Sequence, residues 1–259
     1  MKYSKIAVGV LCVLLLLTGC KTTEELRREE AVSEGVSYLE ELESLDPKIV
    51  EEQRREIEQR RLEAQREELQ RQLLDGELDV WAQFKDYVIL GDSRAVGFYY
   101  FDFLDKSRVL AGGGDTIAIV PEKIEEMHTL DPHYIYLCYG LNDTSIGYWN
   151  TKEEYVDAMG ETLSMLQQEF PDAKLIVSSI LPARDPAFER SSKWYNIPDY
   201  SAAVEAYCQE NGISFANNDK ISEEHADLWQ DDGIHVRPEF YPYWATNLIL
   251  ASWEDTSLE

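Results

Sequence analysis

The chain has 259 residues, of which 44% are hydrophobic and 29% are charged, and it contains four cysteines. Its formal net charge of −26 would repel polyanions, so we expect no nucleic-acid partner. With so few cysteines and no C-x-x-C pair, we expect neither a disulfide framework nor a zinc ribbon nor a thioredoxin-like redox site.

Residues 1–19 have the pattern of a secretory signal peptide. Lys2 and Lys5 precede an almost wholly apolar run over residues 6–17, which falls short of the about 20 residues needed to span a bilayer. The run ends in LTGC, which resembles the bacterial lipobox. This resemblance implies that Cys20 is the lipidated first residue of an extracytoplasmic lipoprotein anchored to the cell membrane. The alternative is an ordinary signal peptide followed by a coincidental cysteine.

The next segment, residues 20–79, is rich in Glu, Arg, Gln and Leu and is called here the helical arm. Acid-before-base pairs spaced four residues apart favour exposed helices. Asp46-Pro47 interrupts the pattern, which predicts helices over residues 22–45 and 48–75. Because apolar positions are sparse, we interpret the arm as a spacer above the membrane. The two alternatives are that the arm self-associates as a coiled coil and that it is disordered.

Residues 80–259 alternate short apolar strands with helix-like segments. Strands are predicted at residues 87–90, 108–111, 134–139, 174–179 and 213–216, and helices at 95–104, 116–127, 152–170, 199–211 and 238–253. This alternation predicts an α/β fold in which a mainly parallel, five-stranded sheet lies between two helical layers. Cys138 and Cys208 fall within one such strand and one such helix, where we expect both to be buried as small apolar residues.

Polar residues follow several of these predicted strands. The ends of the first three carry GDS (91–93), GGGDT (112–116) and GLND (140–143), and a loop before the last helix carries DGIH (232–235). Ligands of parallel α/β sheets bind beyond the carboxyl ends of the strands, so we expect these segments to meet. Together they supply a hydroxyl, glycine amides, a carboxamide, a carboxylate and an imidazole, which are the parts of an acyl-transfer site.

The residue types suggest a role for each member of that site. Ser93 is the candidate nucleophile, His235 the base that takes its proton, and Asp232 the group that orients the imidazole. The amide N–H groups of Ser93 and Gly114 and the side-chain amide of Asn142 are the candidate donors to the oxyanion.

The four segments resemble the sequence blocks of the SGNH (GDSL-type) hydrolase family, and they occur in the family order over residues 86 to about 253. The resemblance implies a flavodoxin-like sheet and a Ser-His-Asp triad. It favours Gly114 as the block glycine because Asp115-Thr116 follows it, with Gly113 as the alternative. Arg94 departs from the family, since many members have Leu there. Arg94 is expected either to contact substrate or to pair with a nearby carboxylate.

Trp194 and Tyr195 lie in a polar loop, where they are expected either to stack on a sugar or to belong to the core. The location and the resemblance predict a membrane-anchored serine esterase or O-acyltransferase that needs no metal or other cofactor. Its expected substrates are short acyl esters, chiefly acetyl, of cell-envelope glycans. The alternative is a non-catalytic lipoprotein whose arm and SGNH domain act as a binding or scaffolding module.

Overall fold

The computed structural model describes residues 24, 27–28, 31–37 and 47–253. The strands are β1 (Tyr87–Gly91), β2 (Val109–Ala111), β3 (Tyr134–Cys138), β4 (Lys174–Ser178) and β5 (Ser214–Ala216). Residues 31–37 are helical. The helices after them are α1 (Pro47–Leu74), α2 (Gly97–Tyr100), α3 (Val120–Leu130), α4 (Leu141–Ile146), α5 (Lys152–Glu169), α6 (Ile197–Asn211), α7 (Asp219–Glu224) and α8 (Tyr241–Ser252).

The five strands form one parallel sheet in the order β2-β1-β3-β4-β5. In this register Leu90 lies between Leu110 and Leu137, Leu137 pairs with Val177, and Val177 pairs with Phe215. The order is that of the flavodoxin-like doubly wound fold. The predicted fold class is therefore confirmed.

Successive strand residues alternate between the two faces of the sheet. Leu90 and Val177 pack in one cluster with residues of α3, α5 and α6. Ile89 and Ile176 pack in a second cluster with residues of α2 and α8. Strands that are buried on both faces have nearly continuous apolar sequences, which explains why they were visible in the sequence. Both described cysteines are free and buried, as expected.

The predicted and observed elements differ most just after β1, β3 and β5. The predicted helix over residues 95–104 is reduced to α2 and flanking turns, because the chain turns out of the helix at Asp102, where φ is 59°. The helices α4 and α7 were not predicted. Each has six residues, too few to display a helical period in the sequence.

The chain divides into two compact units, Met1–Arg61 and Leu62–Glu259. The division lies within α1, and Leu69 and Leu73, in the part of α1 after the division, pack against the core of the second unit. The remaining surface of α1 carries ion pairs such as Arg60 with Glu56 at 3.5 Å.

The helix predicted over residues 48–75 is observed as α1. Part of the helix predicted over residues 22–45, all of residues 1–19 and Cys20 lie outside the described residues. Among the helices that the structure describes, none combines the length and the apolar character needed to cross a membrane. The spacer and coiled-coil interpretations of the arm both stay predictions.

Candidate active site

The polar segments predicted to meet are placed by the sheet at one edge. The N–H of Asp92, just beyond β1, donates to the carbonyl of Cys138 at the end of β3 at 3.2 Å, and the N–H of Gly112 donates to the carbonyl of Gly91 at 3.3 Å. Ser93 therefore starts the turn that leaves the sheet between β2 and β3, and its side chain is half-buried.

Ser93, His235 and Asp232 form one hydrogen-bonded chain. His235 Nε2 lies 3.0 Å from Ser93 Oγ, and His235 Nδ1 lies 2.6 Å from Asp232 Oδ2. The side chains of His235 and Asp232 are 37% and 36% exposed, so solvent and substrate reach the imidazole. This is the geometry in which a base can take the serine proton while a carboxylate fixes the tautomer of the imidazole.

The catalytic loop, defined here as residues 232–235, is held by its own backbone. Asp232 Oδ1 accepts the N–H groups of Ile234 at 2.9 Å and of His235 at 3.0 Å. Burial raises the pKa of Asp232, but the hydrogen bonds from the His235 ring and from these two amides lower it by a larger amount, so the net shift is downward. The carboxylate is therefore charged and available to stabilise an imidazolium.

Gly233 allows this loop to pass close to the segment that follows β4. Its φ is +70°, and its carbonyl accepts the N–H of Arg184 at 2.8 Å. A Cβ atom at this position would collide with the carbonyl oxygen of Arg184. The sequence DGIH thus needs glycine second, both for the left-handed backbone and for the close approach.

The candidate oxyanion donors lie in the segments that follow β1, β2 and β3. Within the part of the chain that the structure describes, the amide N–H groups of Ser93 and Gly114 donate to no protein acceptor. Gly114 has φ of +86° and open space where a Cβ would lie, so substrate can approach its backbone. The Asn142 side chain donates one N–H to the carbonyl of Asp115 at 2.9 Å. Its amide group has a second N–H to offer an oxyanion.

Arg94 is buried, and its guanidinium is occupied by other groups. It bonds both carboxylate oxygens of Asp92, with 3.1 Å between Arg94 Nη2 and Asp92 Oδ2, and donates to the carbonyl of Leu181. The Tyr241 hydroxyl donates to the Arg94 carbonyl at 2.7 Å. The expected substrate contact is therefore wrong, and the alternative of a carboxylate partner is observed. The pair fixes the backbone on both sides of Ser93.

Trp194 and Tyr195 have different environments although they are adjacent. Trp194 is 6% exposed, and its indole N–H donates to the carbonyl of Leu141 at 2.8 Å, so this ring belongs to the core and is not presented to a sugar. Tyr195 is 62% exposed and stacks on Phe188 with 3.9 Å between ring centroids.

Two residues around the site had no role in the sequence prediction. Tyr241 supports the turn at Ser93 from α8, and Asp143 lies buried next to Asn142. Asp143 was visible in GLND, but its burial depends on the unpredicted helix α4. Among the described residues, no group of three His, Cys, Asp or Glu side chains is arranged to hold a metal ion.

Comparison with known proteins gives one family match. The model of the GDSL-like Lipase/Acylhydrolase family matches residues 89–241. No curated protein matches the chain. Similar solved structures include a protein from Parabacteroides merdae classed as a GDSL-like lipase, with 19% identity over 65% of this chain and 96% of that one and a TM-score of 0.54.

Two further solved structures are similar to this chain. A GDSL-like lipase from Bacteroides thetaiotaomicron has 19% identity over 66% of this chain and 92% of that one, with a TM-score of 0.53. An acetyl esterase mutant solved with acetate ion has 16% identity over 65% of this chain and 96% of that one, with a TM-score of 0.50. At these identities the structural likeness shows a shared fold.

Proposed function

The chain belongs to the GDSL-like lipase/acylhydrolase family, and on that premise we propose that it is a membrane-anchored serine esterase or O-acyltransferase acting on acetyl esters of cell-envelope glycans. The observation that carries the enzymatic part is the hydrogen-bonded chain from Ser93 through His235 to Asp232, with links of 3.0 and 2.6 Å. The acetyl group, the glycan and the membrane anchor rest on separate arguments.

The reaction proceeds through an acyl-enzyme. Ser93 Oγ attacks the ester carbonyl as His235 Nε2 takes its proton. The resulting oxyanion accepts hydrogen bonds from the N–H groups of Ser93 and Gly114 and from the side-chain amide of Asn142. His235 then gives the proton to the leaving alcohol as the ester C–O bond breaks. Water, or a sugar hydroxyl in a transferase, then attacks the acyl carbon while His235 takes its proton, and the bond between the acyl carbon and Ser93 Oγ breaks as His235 returns the proton to Oγ. Hydrolysis and transfer therefore use the same residues.

The proposal of a glycan is supported by exposed aromatic rings on two segments that adjoin α4. The turn Ser192–Asn196 is joined to α4 by the hydrogen bond between Trp194 and Leu141. Tyr195 on this turn and Tyr148 just after α4 are 62% and 65% exposed. We call Tyr148, Tyr195 and the Phe188 ring stacked on Tyr195 the aromatic surface. Large, rigid rings of this kind provide contact area with little loss of conformational entropy.

Charge and similarity support a small, uncharged acyl group. Residues 86–259 hold 31 acidic and 11 basic residues, a difference of −20, which disfavours an anionic substrate. One similar structure is an acetyl esterase solved with acetate ion, which is the reason for proposing acetyl among short acyl groups. The choice of substrate is thus an inference from charge and analogy.

The proposed location rests on the amino-terminal sequence. The residues LTGC end at Cys20, and a lipid with two or more acyl chains on that sulfur would anchor the protein stably. The acidic and basic side chains of the helical arm suit a solvated spacer between the anchor and the catalytic unit.

Replacing Cys20 with alanine is expected to move the protein out of the membrane fraction, because the variant lacks the sulfur that carries the lipid. Immunoblotting of membrane and soluble fractions measures this change. The matched control is Cys12→Ala, which alters a cysteine within the signal peptide and should leave fractionation unchanged. Retention of the Cys20→Ala protein in the membrane fraction would show that the anchor is not this cysteine.

The substrate proposal is tested by incubating the purified full chain, in detergent, with acetylated glycan fragments or with an acetyl donor plus unmodified fragments. Free acetate alone identifies an esterase, and acetylated fragments identify a transferase. Tyr195→Ala is expected to raise KM for the glycan by about 3- to 10-fold, on the order of 1 kcal/mol for one lost stacking contact, without altering phenyl acetate hydrolysis.

Tyr100→Ala is the control, since Tyr100 is 70% exposed on α2 and lies outside the aromatic surface. It should leave KM for both substrates unchanged. If phenyl acetate is hydrolysed while no glycan is deacetylated or acetylated, the glycan proposal fails and the esterase assignment stands. If neither ester reacts, the enzymatic proposal itself fails.

A further inference from the structure

The carboxyl group of Asp143 is fully buried and only half hydrogen-bonded. Asp143 follows Asn142 in α4 and is 0% exposed. Its Oδ1 accepts the N–H of Ile117 at 2.9 Å. Its Oδ2 is also buried and, within the residues that the structure describes, has no hydrogen-bond partner. An ionised carboxylate in such a place is unfavourable, because its charge has lost water without gaining sufficient partners.

The same carboxyl group joins two segments of the oxyanion hole. The oxyanion loop, defined here as residues 112–117, is joined to α4 by the Asn142 side chain, which donates to the carbonyl of Asp115 at 2.9 Å. A second link, 2.9 Å long, is the Ile117 N–H donating to Asp143. Neighbouring residues of α4 thus hold the part of the loop that follows Gly114.

We propose that Asp143 is a positioning residue of the oxyanion hole and that it acts in its protonated, uncharged form. Its carbonyl oxygen accepts the Ile117 N–H and so keeps Gly114 near Asn142, while protonation of Oδ2 removes the charge from an oxygen that has no partner among the described residues. Asp143 itself does not touch the substrate. It acts on the reaction through the backbone of the oxyanion loop.

Two buried phenols lie in the same neighbourhood. The hydroxyl oxygens of Tyr139 and Tyr155 are buried and, like Asp143 Oδ2, have no partner among the described residues. Burial, followed by the charge of nearby carboxylates that include Asp143, raises the pKa of both phenols. A neutral carboxylic acid is compatible with such a group of buried, uncharged polar atoms, whereas a carboxylate would be costly there.

The pKa of Asp143 is raised to about 7, and burial is the main cause. The negative charge of Asp92 also raises this pKa, whereas the backbone amides of Ile117, Asp143 and Gly140 lower it. The ionisable groups that act on Asp143 or on the two phenols include Asp92, Arg94 and Asp115. Asp92 is paired with Arg94 at 3.1 Å. Burial also raises the pKa of Asp115, so a variant of that residue is needed as a control.

The direction of the pH effect follows from these values. As pH rises through about 7, Asp143 loses its proton and places a negative charge beside the oxyanion hole, so catalysis should weaken. The folded protein keeps this proton to about pH 7, whereas the unfolded chain releases it near the ordinary value of 3.8. The contribution to stability is therefore greatest at acid pH and decreases between those two values as pH rises.

The test compares the full-length wild type with Asp143→Asn and Asp143→Ala. Phenyl acetate hydrolysis and thermal unfolding are both followed from about pH 5 to about pH 9. Asparagine retains an oxygen for Ile117 and stays neutral. We expect its kcat at about pH 6 to lie within about 3-fold of wild type, and the decline of activity above about pH 7 to be absent. From acid to alkaline pH, the unfolding temperature of Asp143→Asn should also decrease less than that of the wild type.

Asp143→Ala leaves the Ile117 N–H without its acceptor and is expected to lower kcat at least about 10-fold with KM within about 3-fold. Asp115→Asn should keep the alkaline decline. The proposal is overturned if Asp143→Asn is as impaired as Asp143→Ala at every pH, or if Asp143→Asn keeps the alkaline decline. If the alanine variant does not fold, the pH profile of the asparagine variant decides. This proposal rests on the proposed esterase activity, and the two failures are distinguishable. If the wild type hydrolyses no phenyl acetate, the proposed function fails, whereas an unfolding temperature that depends on pH equally in the wild type and in Asp143→Asn overturns the proposal for Asp143.

Discussion

Replacing Ser93 with alanine is expected to lower kcat for phenyl acetate hydrolysis by about 10⁴- to 10⁶-fold, as happens when the nucleophile of a serine triad is removed. The hydroxyl group has one described hydrogen-bond partner, His235 Nε2 at 3.0 Å, so its removal leaves the imidazole without the nucleophile that it activates. The fold should persist because alanine occupies less space than serine at a half-buried position. Steady-state kinetics and circular dichroism measure the two effects.

The matched control for this variant is Ser164→Ala, because Ser164 is an exposed serine on α5. It should leave kcat and KM unchanged. If Ser93→Ala keeps more than about a tenth of the wild-type kcat, Ser93 is not the nucleophile. If the wild type is itself inactive towards every ester, the alternative of a non-catalytic binding or scaffolding module gains support.

Replacing Asp232 with asparagine is expected to lower kcat by about 10³- to 10⁴-fold, through the tautomer of His235. The amides of Ile234 and His235 both donate to Asp232 Oδ1, so the single oxygen of asparagine would face them. Its NH2 group would then face His235 Nδ1 and donate to it. A neutral imidazole in that arrangement carries its proton on Nε2 and cannot take the proton of Ser93.

Kinetics and the NMR signals of the imidazole ring test this prediction together. We expect the proton on Nε2 in the variant and on Nδ1 in the wild type. The control is Asp231→Asn, which removes a neighbouring carboxylate that is 3.6 Å from Arg237 and does not contact His235. If Asp232→Asn loses less than about 10-fold in kcat, the carboxylate does not control the state of His235.

The sheet was predictable from sequence because its strands are buried on both faces. Residues such as Ile89 and Leu90 point to opposite clusters, so no polar residue interrupts the run. The site residues were predictable because each follows a strand or precedes a helix whose position had been identified. Ser93, Gly114, Asn142 and His235 are distant in sequence, and parallel pairing of β1, β2 and β3 explains why the first three lie at one edge.

Other properties of the site depend on packing that the sequence pattern does not show. Arg94 directly follows Ser93, and this position suggested a contact with substrate. Its buried environment depends on the Leu181 carbonyl and on Tyr241, which are distant in sequence. Trp194 is buried because its indole reaches Leu141 at the start of α4. The same short helix places Asp143 in the interior. The environments of Trp194 and Asp143 could not be predicted without α4, which is too short to show a helical period in the sequence.

The central claim is that Ser93 is a nucleophile activated by His235, and covalent labelling tests it most directly. The full chain and Ser93→Ala are treated with a fluorophosphonate, digested, and analysed by mass spectrometry. We predict a phosphonyl adduct on the wild-type peptide that contains GDS, located on Ser93, and no adduct on that peptide in the variant. Equal labelling of both proteins, or an adduct on another serine with Ser93 unmodified, would contradict the account.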